Sequence, residues 1–397
     1  MSVLSAGLLA ILSVGCIACL GQSTANPGSS GKLKLLSETL IEEPDFDLEY
    51  KASVASRKFD TFWLVLGRRP TGTMSGPQKL ALRTLNQAGK TLANMPLDAL
   101  VKAAGIADEP DRLIDLAATE DGNLSVILGS NGRIWVVTVD GNTHLVTRGK
   151  DIAPSSKDVS IGRALPGPGG SLMLIGNSGR GPITIKLDPN LAIVWEKLAD
   201  PDSVSRFMDG FISEDGTFVL SGNFVKGTQV SQWVGRFSAH GKVEASIAIP
   251  GQSAILAGAP DGGCTIVQEI ATYNGPDYWF RTYDQNLKEL WSYKLYSGNW
   301  NLLTVPLARV PQAPMDYLVT GFEKRRLQIS KVRALSGILW SRTPELQTTS
   351  EPLSTWNAGL APAASSVFVS STEFVMYKSP EGYRQRQILH IMNVDTK

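Results

Sequence analysis

The segment from Arg206 to Ile249 reads RFMDGFISEDGTFVLSGNFVKGTQVSQWVGRFSAHGKVEASIAI, and the rest of the chain repeats its pattern. Apolar and small residues alternate over four stretches, which are Phe207–Ser213, Thr217–Phe224, Val230–Ser238 and Lys242–Ile249. Asp215-Gly216 and His240-Gly241 are tight-turn pairs between alternating stretches. The segment therefore predicts four short antiparallel strands within about 45 residues, the size of one β-propeller blade.

Two series of turns recur along the chain with one period. The first joins the first and second strands of each predicted blade, at Asp121-Gly122, Gly169-Gly170, Asp215-Gly216 and Asp261-Gly262, with spacings of 48, 46 and 46 residues. The second joins the third and fourth strands, at Ala88-Gly89, Asp140-Gly141, Pro189-Asn190, His240-Gly241, Gln285-Asn286 and Ser336-Gly337. Glycine is needed in the first series because two-residue hairpins demand positive φ. Two independent series with a common period predict repeated four-stranded units.

These turns divide most of the chain into seven predicted blades. Their ranges are 50–97, 111–148, 158–199, 204–249, 253–297, 302–345 and 355–395. The last range lacks a fourth strand, and Lys32–Leu40 is a strand candidate without a blade of its own. We therefore predict an all-β fold, a seven-bladed β-propeller closed by an N-terminal strand that completes the last blade. Leu97–Ala104 is the one predicted short helix.

Three turn segments carry a family resemblance. They are LDPNLAIVW (187–195), YDQNLKELW (283–291) and RALSGILW (333–340). They resemble the repeat of quinoprotein-like β-propellers, in which the turn and the following tryptophan dock neighbouring blades together. The resemblance implies a structural role for Trp195, Trp291 and Trp340. It concerns the scaffold, because the cofactor and calcium apparatus of quinone enzymes matches no motif in this chain. We expect no cofactor.

The chain begins with an apolar segment that contains two cysteines. Val3–Leu20 is almost continuously apolar or small, no charged residue precedes Lys32, and the residues after Leu20 resemble a flexible tether. Cys16 and Cys19 each follow a small residue, as in the lipobox of bacterial lipoproteins, although neither has the usual aliphatic residue three positions earlier. The resemblance implies lipidation at one of them. Cleavage near Ala25 without a lipid and an uncleaved membrane anchor remain alternatives.

These features predict three parts: a signal-peptide and lipobox region (1–19), a tether (20–31) and a single β-propeller domain (32–397). The expected protein is exported and membrane-anchored, on the periplasmic side of a bacterial membrane. Cys264, the third cysteine, lies in a strand pattern and is expected to be buried, so no disulfide framework is predicted.

The composition and motifs argue against several function classes. Thirty-eight basic residues against 37 acidic residues leave no excess for a nucleic-acid surface. Gly176-Asn177-Ser178-Gly179-Arg180 fails at its last position as a serine-nucleophile motif. His144, His240 and His390 fall in three different blades without another histidine or cysteine nearby, and each is expected in a turn or on a strand surface. We predict neither a catalytic nor a metal site.

One charge pattern remains. The predicted loops between second and third strands carry Arg68, Arg69, Arg133, Arg180, Lys226, Lys324, Arg325 and Arg326. The predicted connections between blades carry Asp108, Glu109, Asp111, Asp151, Asp158, Asp200 and Asp202. Both groups share one face of a propeller, and Tyr273 and Tyr278 are aromatic candidates for the same face. Ordinary solvation of exposed loops is the alternative explanation.

The sequence therefore predicts a monomeric, non-catalytic binding scaffold of the cell envelope. Its predicted contact residues are Arg69, Arg133, Arg180, Lys226, Tyr273, Tyr278, Arg325 and Arg326. The expected partner is an envelope or secreted protein, with no nucleic acid involved. The alternative is an envelope enzyme or receptor that binds a sugar or another small ligand at the mouth of the channel.

Overall fold

Alternating apolar and polar residues form strands throughout the protein. The structure, a computed structural model, describes residues 33, 35–41, 46–70, 78–108, 110–199, 204–226, 229–249, 251, 253–259, 261–273, 275–297, 307–323, 326–344, 352–379 and 382–396. Within these residues the strands form seven four-stranded antiparallel sheets, the blades of a propeller. The first strand of the described residues, β1 (Leu35–Ile41), belongs to blade 7.

Blades 1 to 4 each take four consecutive strands, here given from the first strand outward. Blade 1 comprises β2 (Phe46–Ala55), β3 (Phe62–Pro70), β4 (Lys79–Leu85) and β5 (Thr91–Pro96). Blade 2 comprises β6 (Arg112–Ala118), β7 (Leu124–Ser130), β8 (Arg133–Val139) and β9 (Val146–Ile152). Blade 3 comprises β10 (Ser160–Pro166), β11 (Leu172–Ser178), β12 (Gly181–Leu187) and β13 (Ile193–Leu198). Blade 4 comprises β14 (Arg206–Ile212), β15 (Phe218–Lys226), β16 (Gln229–Phe237) and β17 (Val243–Ile249).

Blades 5 and 6 follow the same order, and blade 7 draws on both ends of the propeller. Blade 5 comprises β18 (Ser253–Gly258), β19 (Cys264–Thr272), β20 (Gly275–Tyr283) and β21 (Glu289–Ser297). Blade 6 comprises β22 (Leu307–Arg309), β23 (Asp316–Glu323), β24 (Arg326–Arg333) and β25 (Gly337–Arg342). Blade 7 comprises β26 (Pro352–Pro362), β27 (Val367–Ser379), β28 (Gly382–Val394) and β1, which pairs antiparallel with β28.

The predicted fold class is confirmed, and so are both turn series. Gly122, Gly170, Gly216 and Gly262 connect the first and second strands of their blades with φ between 79° and 90°. The predicted helix is present as α1 (Leu97–Ala103), between blades 1 and 2. Its Leu97, Leu100 and Val101 are buried against both blades.

The core lies between the blades rather than at one centre. Each sheet presents alternate residues to the neighbour on either side, so seven apolar clusters fill the seven interfaces. Trp195 of blade 3 stacks on Phe218 of blade 4 at 6.2 Å between ring centroids. Trp291 and Trp340 likewise pack against the clusters between blades 5 and 6 and between blades 6 and 7. All three tryptophans are thus structural, as predicted.

Strand direction gives the propeller two different faces. We call the side with the hairpins between first and second and between third and fourth strands the turn face. The loop face carries the hairpins between second and third strands and the connections between blades. The first strands of neighbouring blades contact one another and line a central channel that joins the two faces.

Candidate functional site

Arg133 lies on the loop face at the start of β8, where two carboxylates neutralise it. Its Nη1 donates to Asp108 Oδ2 at 2.6 Å, and its Nη2 donates to Asp151. Asp108 belongs to the connection between blades 1 and 2, and Asp151 lies near the end of β9. These acidic partners hold the pKa of Arg133 above its usual value. Acidic residues therefore flank this basic residue, as predicted, and they form ion pairs with it.

Arg180 and Tyr273 are two predicted contact residues whose side chains are exposed in the structure. Arg180 lies in the tight turn between β11 and β12 of blade 3, and its side chain is exposed. Tyr273 lies in the turn between β19 and β20 of blade 5, and its side chain is completely exposed, at 104% of the reference area. The blade topology places both turns on the loop face.

Tyr278 is a core residue, so its predicted role as a surface anchor is wrong. It retains 2% of its exposure and belongs to the cluster between blades 5 and 6, with Phe280 and Tyr317. Burial raises its pKa, with a further contribution from the charge of Glu269. The prediction assumed a loop that includes residue 278, whereas β20 begins at Gly275 and turns this ring inward.

The other predicted residues are less informative about the site. Arg69 lies in β3. Burial raises the pKa of the Glu49 carboxyl, but hydrogen bonds from Lys51 and Gln78 outweigh it, and the charges of Lys51 and Arg69 lower the pKa further. Lys226 belongs to β15 and Arg326 to β24, and their side chains lie outside the described part of the structure. Arg325, Cys16 and Cys19 lie outside the described residues.

A second constellation, not predicted from the sequence, lies in the central channel. Arg163 of β10 reaches to both neighbouring blades: its Nη2 lies 3.1 Å from Asp209 Oδ1 of β14, and its Nε lies 3.8 Å from Asp115 Oδ2 of β6. The Arg163 side chain is about half exposed, at 49%, because it faces the channel. Asp115 and Asp209 together raise its pKa above the usual value.

The two carboxylates are fixed by backbone hydrogen bonds to the next blade. Asp115 Oδ2 accepts from the Ala164 N–H at 2.9 Å, and Asp209 Oδ2 accepts from the Leu256 N–H at 3.2 Å. Burial raises the pKa of Asp115, while Arg163 and the Ala164 N–H oppose part of that rise. The three side chains thus connect four successive blades around the channel wall.

Open space lies beside this charged group. A Cβ added at Gly162, next to Arg163, would meet no atom within 4 Å. Met208, next to Asp209, is 39% exposed. Tyr50 of β2 lies close enough for its pKa to feel both Asp115 and Arg163, although burial is the main cause of its rise. Exposed donors and one apolar side chain therefore lie beside open space at Gly162, which we call the recess.

Charged groups also meet at the turn-face mouth of the channel. Burial lowers the pKa of Arg57, and the charge of Arg309 lowers it further, whereas Glu120 and Glu214 oppose that change. These four residues come from blades 1, 2, 4 and 6. The Gly169 N–H of blade 3 donates to Glu120 Oε2 at 3.0 Å. Arg57 at this mouth is thus influenced by carboxylates from two other blades.

The spacing of the channel residues is a signal that could have found them. Asp115, Arg163 and Asp209 are 48 and 46 residues apart, the same intervals that separate the turns at Asp121-Gly122, Gly169-Gly170 and Asp215-Gly216. Residues at one repeat position lie at one height in neighbouring blades. Charged residues at successive equivalents of one first-strand position therefore indicate an ion-pair chain around the channel.

Histidine and cysteine positions give mixed outcomes. His390 is fully buried and its Nδ1 lies 3.0 Å from Glu38 Oε1, so the prediction of a surface position is wrong; β1 covers this part of β28. Cys264 is buried as predicted, and burial raises the pKa of its thiol to about 12. Among the described residues, no group of three or more His, Cys, Asp or Glu side chains is placed to hold a metal ion.

Comparisons with known proteins identify the fold and go no further. A scan against protein-family models and a search of curated proteins both found no match. The Dos1 propeller is 13% identical, with a TM-score of 0.54 over 92% of this chain and 96% of that chain. A protein of unknown function from Dyadobacter fermentans is 10% identical, with a TM-score of 0.52 over 91% and 99% of the two chains. At such identities the likeness shows a β-propeller.

No helix among the described residues has the length and apolar character needed to cross a bilayer.

Proposed function

We propose that this chain is a non-catalytic scaffold that binds a protein partner on its loop face. The observation that carries the proposal is the complete exposure of Tyr273 at a hairpin tip of blade 5, with Arg180 exposed on the equivalent hairpin of blade 3. Tyrosine and arginine are enriched among the residues that contribute most to binding at protein interfaces. A rigid ring that displays its hairpins on one side suits this role.

The charged side chains of the channel are already paired with one another, unlike those of the loop-face hairpins, and this difference supports the same proposal. Arg163 is held between two carboxylates, and each carboxylate also accepts a backbone N–H. A group satisfied in this way stabilises neighbouring blades and is a poor acid, base or nucleophile. The loop-face hairpins, in contrast, offer side chains exposed to solvent.

We further propose that the protein is exported and anchored to a membrane through its N-terminal segment. The support is the apolar run at residues 3–20 with Cys16 and Cys19, followed by the tether at 20–31. Leu35 pairs with Val394 at the turn-face end of β28, so the chain enters the propeller at the turn face. An anchor attached on that side leaves the loop face free to turn away from the membrane. We also propose that the scaffold is of the quinoprotein-like type, and the support is the resemblance of the three turn segments at 187–195, 283–291 and 333–340.

Affinity purification from detergent-solubilised native membranes tests the scaffold proposal. The tagged full-length chain is compared with the Arg180→Ser/Tyr273→Ser variant and with Lys90→Ser, an exposed change on the turn face. We expect one envelope or secreted protein near equal stoichiometry with the wild type and with Lys90→Ser, and its loss with the double variant. Equal recovery with the double variant, or no partner from any sample, would contradict the proposal.

A second candidate function is the binding of a small uncharged ligand, such as a sugar, in the channel. The recess beside Gly162, with Arg163, Asp115 and Asp209 around it, favours this candidate because neutral hydroxyl groups can donate to carboxylates and accept from a guanidinium. Gly162→Leu should fill the recess without changing the loop face. Calorimetric titration with glucose, galactose and N-acetylglucosamine should then show binding to the wild type alone. Absence of heat with every sugar would remove the candidate.

A further inference from the structure

The interface between blades 4 and 5 changes character along its length. Toward the turn face, Val219, Val234, Cys264 and Ile266 form an apolar cluster. Gln232 lies on β16 two residues from Val234, and Gln268 lies on β19 two residues from Ile266. Both are on the loop-face side of the cluster. Side chains two apart on a strand share a face, so both glutamines point into this same interface. Together with Asn223, the cross-strand neighbour of Gln232, they form what we call the polar layer.

The two glutamines of the polar layer are buried without a hydrogen-bond partner in the protein, and Asn223 is half-buried. Gln232 and Gln268 both have 0% exposure, and neither Oε1 nor Nε2 of either side chain has a partner. Among the described residues these are the two side chains in which both amide atoms are buried and unsatisfied. The Oδ1 atom of Asn223 is unsatisfied as well. Each buried group of this kind costs about 1–3 kcal/mol relative to its hydrated state.

Gln268 also departs from the repeat. It follows the turn glycine Gly262 by six residues, as Gly176 follows Gly170 and Gly222 follows Gly216. Glycine is required in blades 3 and 4, because a Cβ at Gly176 would lie 2.1 Å from the Ser160 carbonyl oxygen. In blade 5 the first strand β18 pairs with β19 without a bulge, which leaves room for a side chain. A large amide therefore stands where the neighbouring blades have none.

We propose that the interface between blades 4 and 5 is the place where the ring opens. Separation of the two blades at this point lets water reach the five unsatisfied atoms of the polar layer, so opening regains hydration that no other described interface offers to two complete side-chain amides. The apolar cluster beside the layer opposes the separation. The balance between the two makes this interface the first to open while the blades themselves stay folded.

Cys264 is a built-in probe for this opening. It is fully buried, belongs to the apolar cluster of this interface and points to the same side of β19 as Gln268. Its thiol reacts with an alkylating reagent when the interface opens, and peptide mass spectrometry separates its signal from Cys16 and Cys19. The reference is a second cysteine introduced by Met173→Cys, a residue 1% exposed in the interface between blades 3 and 4.

In the full chain under native conditions, we expect Cys264 to be labelled at least about tenfold faster than the Met173→Cys site. The rate at Cys264 should depend only weakly on urea at low concentrations, because opening between blades exposes less surface than unfolding. Equal rates at the two sites, or a urea dependence as steep as that of global unfolding, would overturn the proposal.

A variant pair gives an independent test. Gln232→Leu/Gln268→Leu removes the buried amides with similar side-chain volume and should slow labelling of Cys264 by about tenfold or more. Gln285→Leu, an exposed turn residue of the same blade, is the matched control and should leave the rate unchanged. Unchanged or faster labelling in a folded double variant would show that the amides are satisfied in the closed ring, which contradicts the proposal. If the double variant does not fold, the wild-type comparison with Met173→Cys still decides.

Discussion

The two sides of blade 4 face different environments although the same four strands build both. Toward blade 3, the interface contains Phe207, Phe218, Trp233 and Phe237, with Phe218 and Phe237 stacked at 4.7 Å between centroids. Toward blade 5, residues one position away provide Val219 and Val234 and then the unsatisfied amide of Gln232. The interface toward blade 3 is mainly aromatic. The interface toward blade 5 is mainly aliphatic, with Tyr283 and Phe211 as its aromatic members, and it ends in the polar layer.

The difference shows that a repeat specifies where interfaces lie but not how strong they are. Strand alternation assigns each residue to one neighbour or the other, and the turn spacing keeps that assignment in register from blade to blade. The strength of each interface then depends on individual side chains. A ring closed by seven interfaces of unequal strength is expected to open first at the weakest.

The aromatic interface should respond most strongly to truncation. We expect Phe218→Ala to lower the free energy of unfolding by about 4 kcal/mol, because the ring is fully buried between Trp195 and Phe237. Val219→Ala, one residue away on the opposite side, should cost less, about 1–3 kcal/mol. Urea denaturation of both variants measures the difference. Equal losses would contradict the ranking of the two interfaces.

A satisfied polar group should behave differently from the polar layer. Asp316 of blade 6 is 1% exposed and accepts from Lys331 Nζ at 3.0 Å and from Arg333 Nε at 2.7 Å. Asp316→Asn should lower the free energy of unfolding by about 3 kcal/mol at neutral pH, because Lys331 stays buried without its counter-charge. Chemical denaturation at pH 7 checks this. A change below about 0.5 kcal/mol would show that the network contributes little.

The same carboxylate predicts a pH dependence. Burial alone would raise the pKa of Asp316, but the hydrogen bonds and charges of Arg333 and Lys331 outweigh it and hold the pKa below its usual value of 3.8. The ionised form is thus favoured by folding, so its stabilisation is complete above that value and is lost as the pH falls through the lower folded-state pKa. Denaturation between pH 5 and pH 2 should show a smaller acid loss for Asp316→Asn than for the wild type.

The polar layer should respond in the opposite direction. Gln232→Leu/Gln268→Leu is expected to raise the free energy of unfolding by about 1–3 kcal/mol, since both partnerless amides leave the interior together. Thermal and urea denaturation against Gln285→Leu measure the gain. A loss of stability in the double variant would mean that the two amides find partners in solution.

The smallest effect on stability is expected at the loop face. Tyr273→Ser should change the free energy of unfolding by less than about 0.5 kcal/mol, because the side chain is fully exposed. Tyr278→Ser, five residues along the same hairpin, should destabilise the protein by several-fold more, because that ring is buried. Only the first change should affect partner recovery at unchanged stability, and similar stability losses for both would contradict the assignment of the two tyrosines.

The sequence was sufficient for the blades because turns and alternation are local signals. Gly122, Gly216 and Gly262 mark hairpins that need positive φ, and the structure places each hairpin where predicted. Trp195 could be assigned to an interface because its turn context repeats. These signals require no knowledge of which blades are neighbours.

The rest depended on contacts between distant residues. Asp115 and Arg163 meet because the first strands of blades 2 and 3 lie side by side at the channel. The two residues are 48 positions apart in the sequence, so no local pattern connects them. Tyr278 was misplaced because its hairpin is tighter than the repeat suggested. Residue 278 therefore lies within β20, where its side chain faces the core. Gln268 was missed because a missing glycine in the repeat is not itself a signal. Only the close contacts at the equivalent Gly176 and Gly222 show that a side chain at this position is unusual.

The most direct test of the central claim is site-specific photo-crosslinking on the two faces. A benzophenone amino acid is placed at Tyr273 on the loop face and, in a second sample, at Leu145, which is 63% exposed next to the turn face. In native membranes, we predict one crosslinked protein from position 273 and none from position 145. Crosslinks from position 145 alone, or from neither position, would contradict a loop-face scaffold.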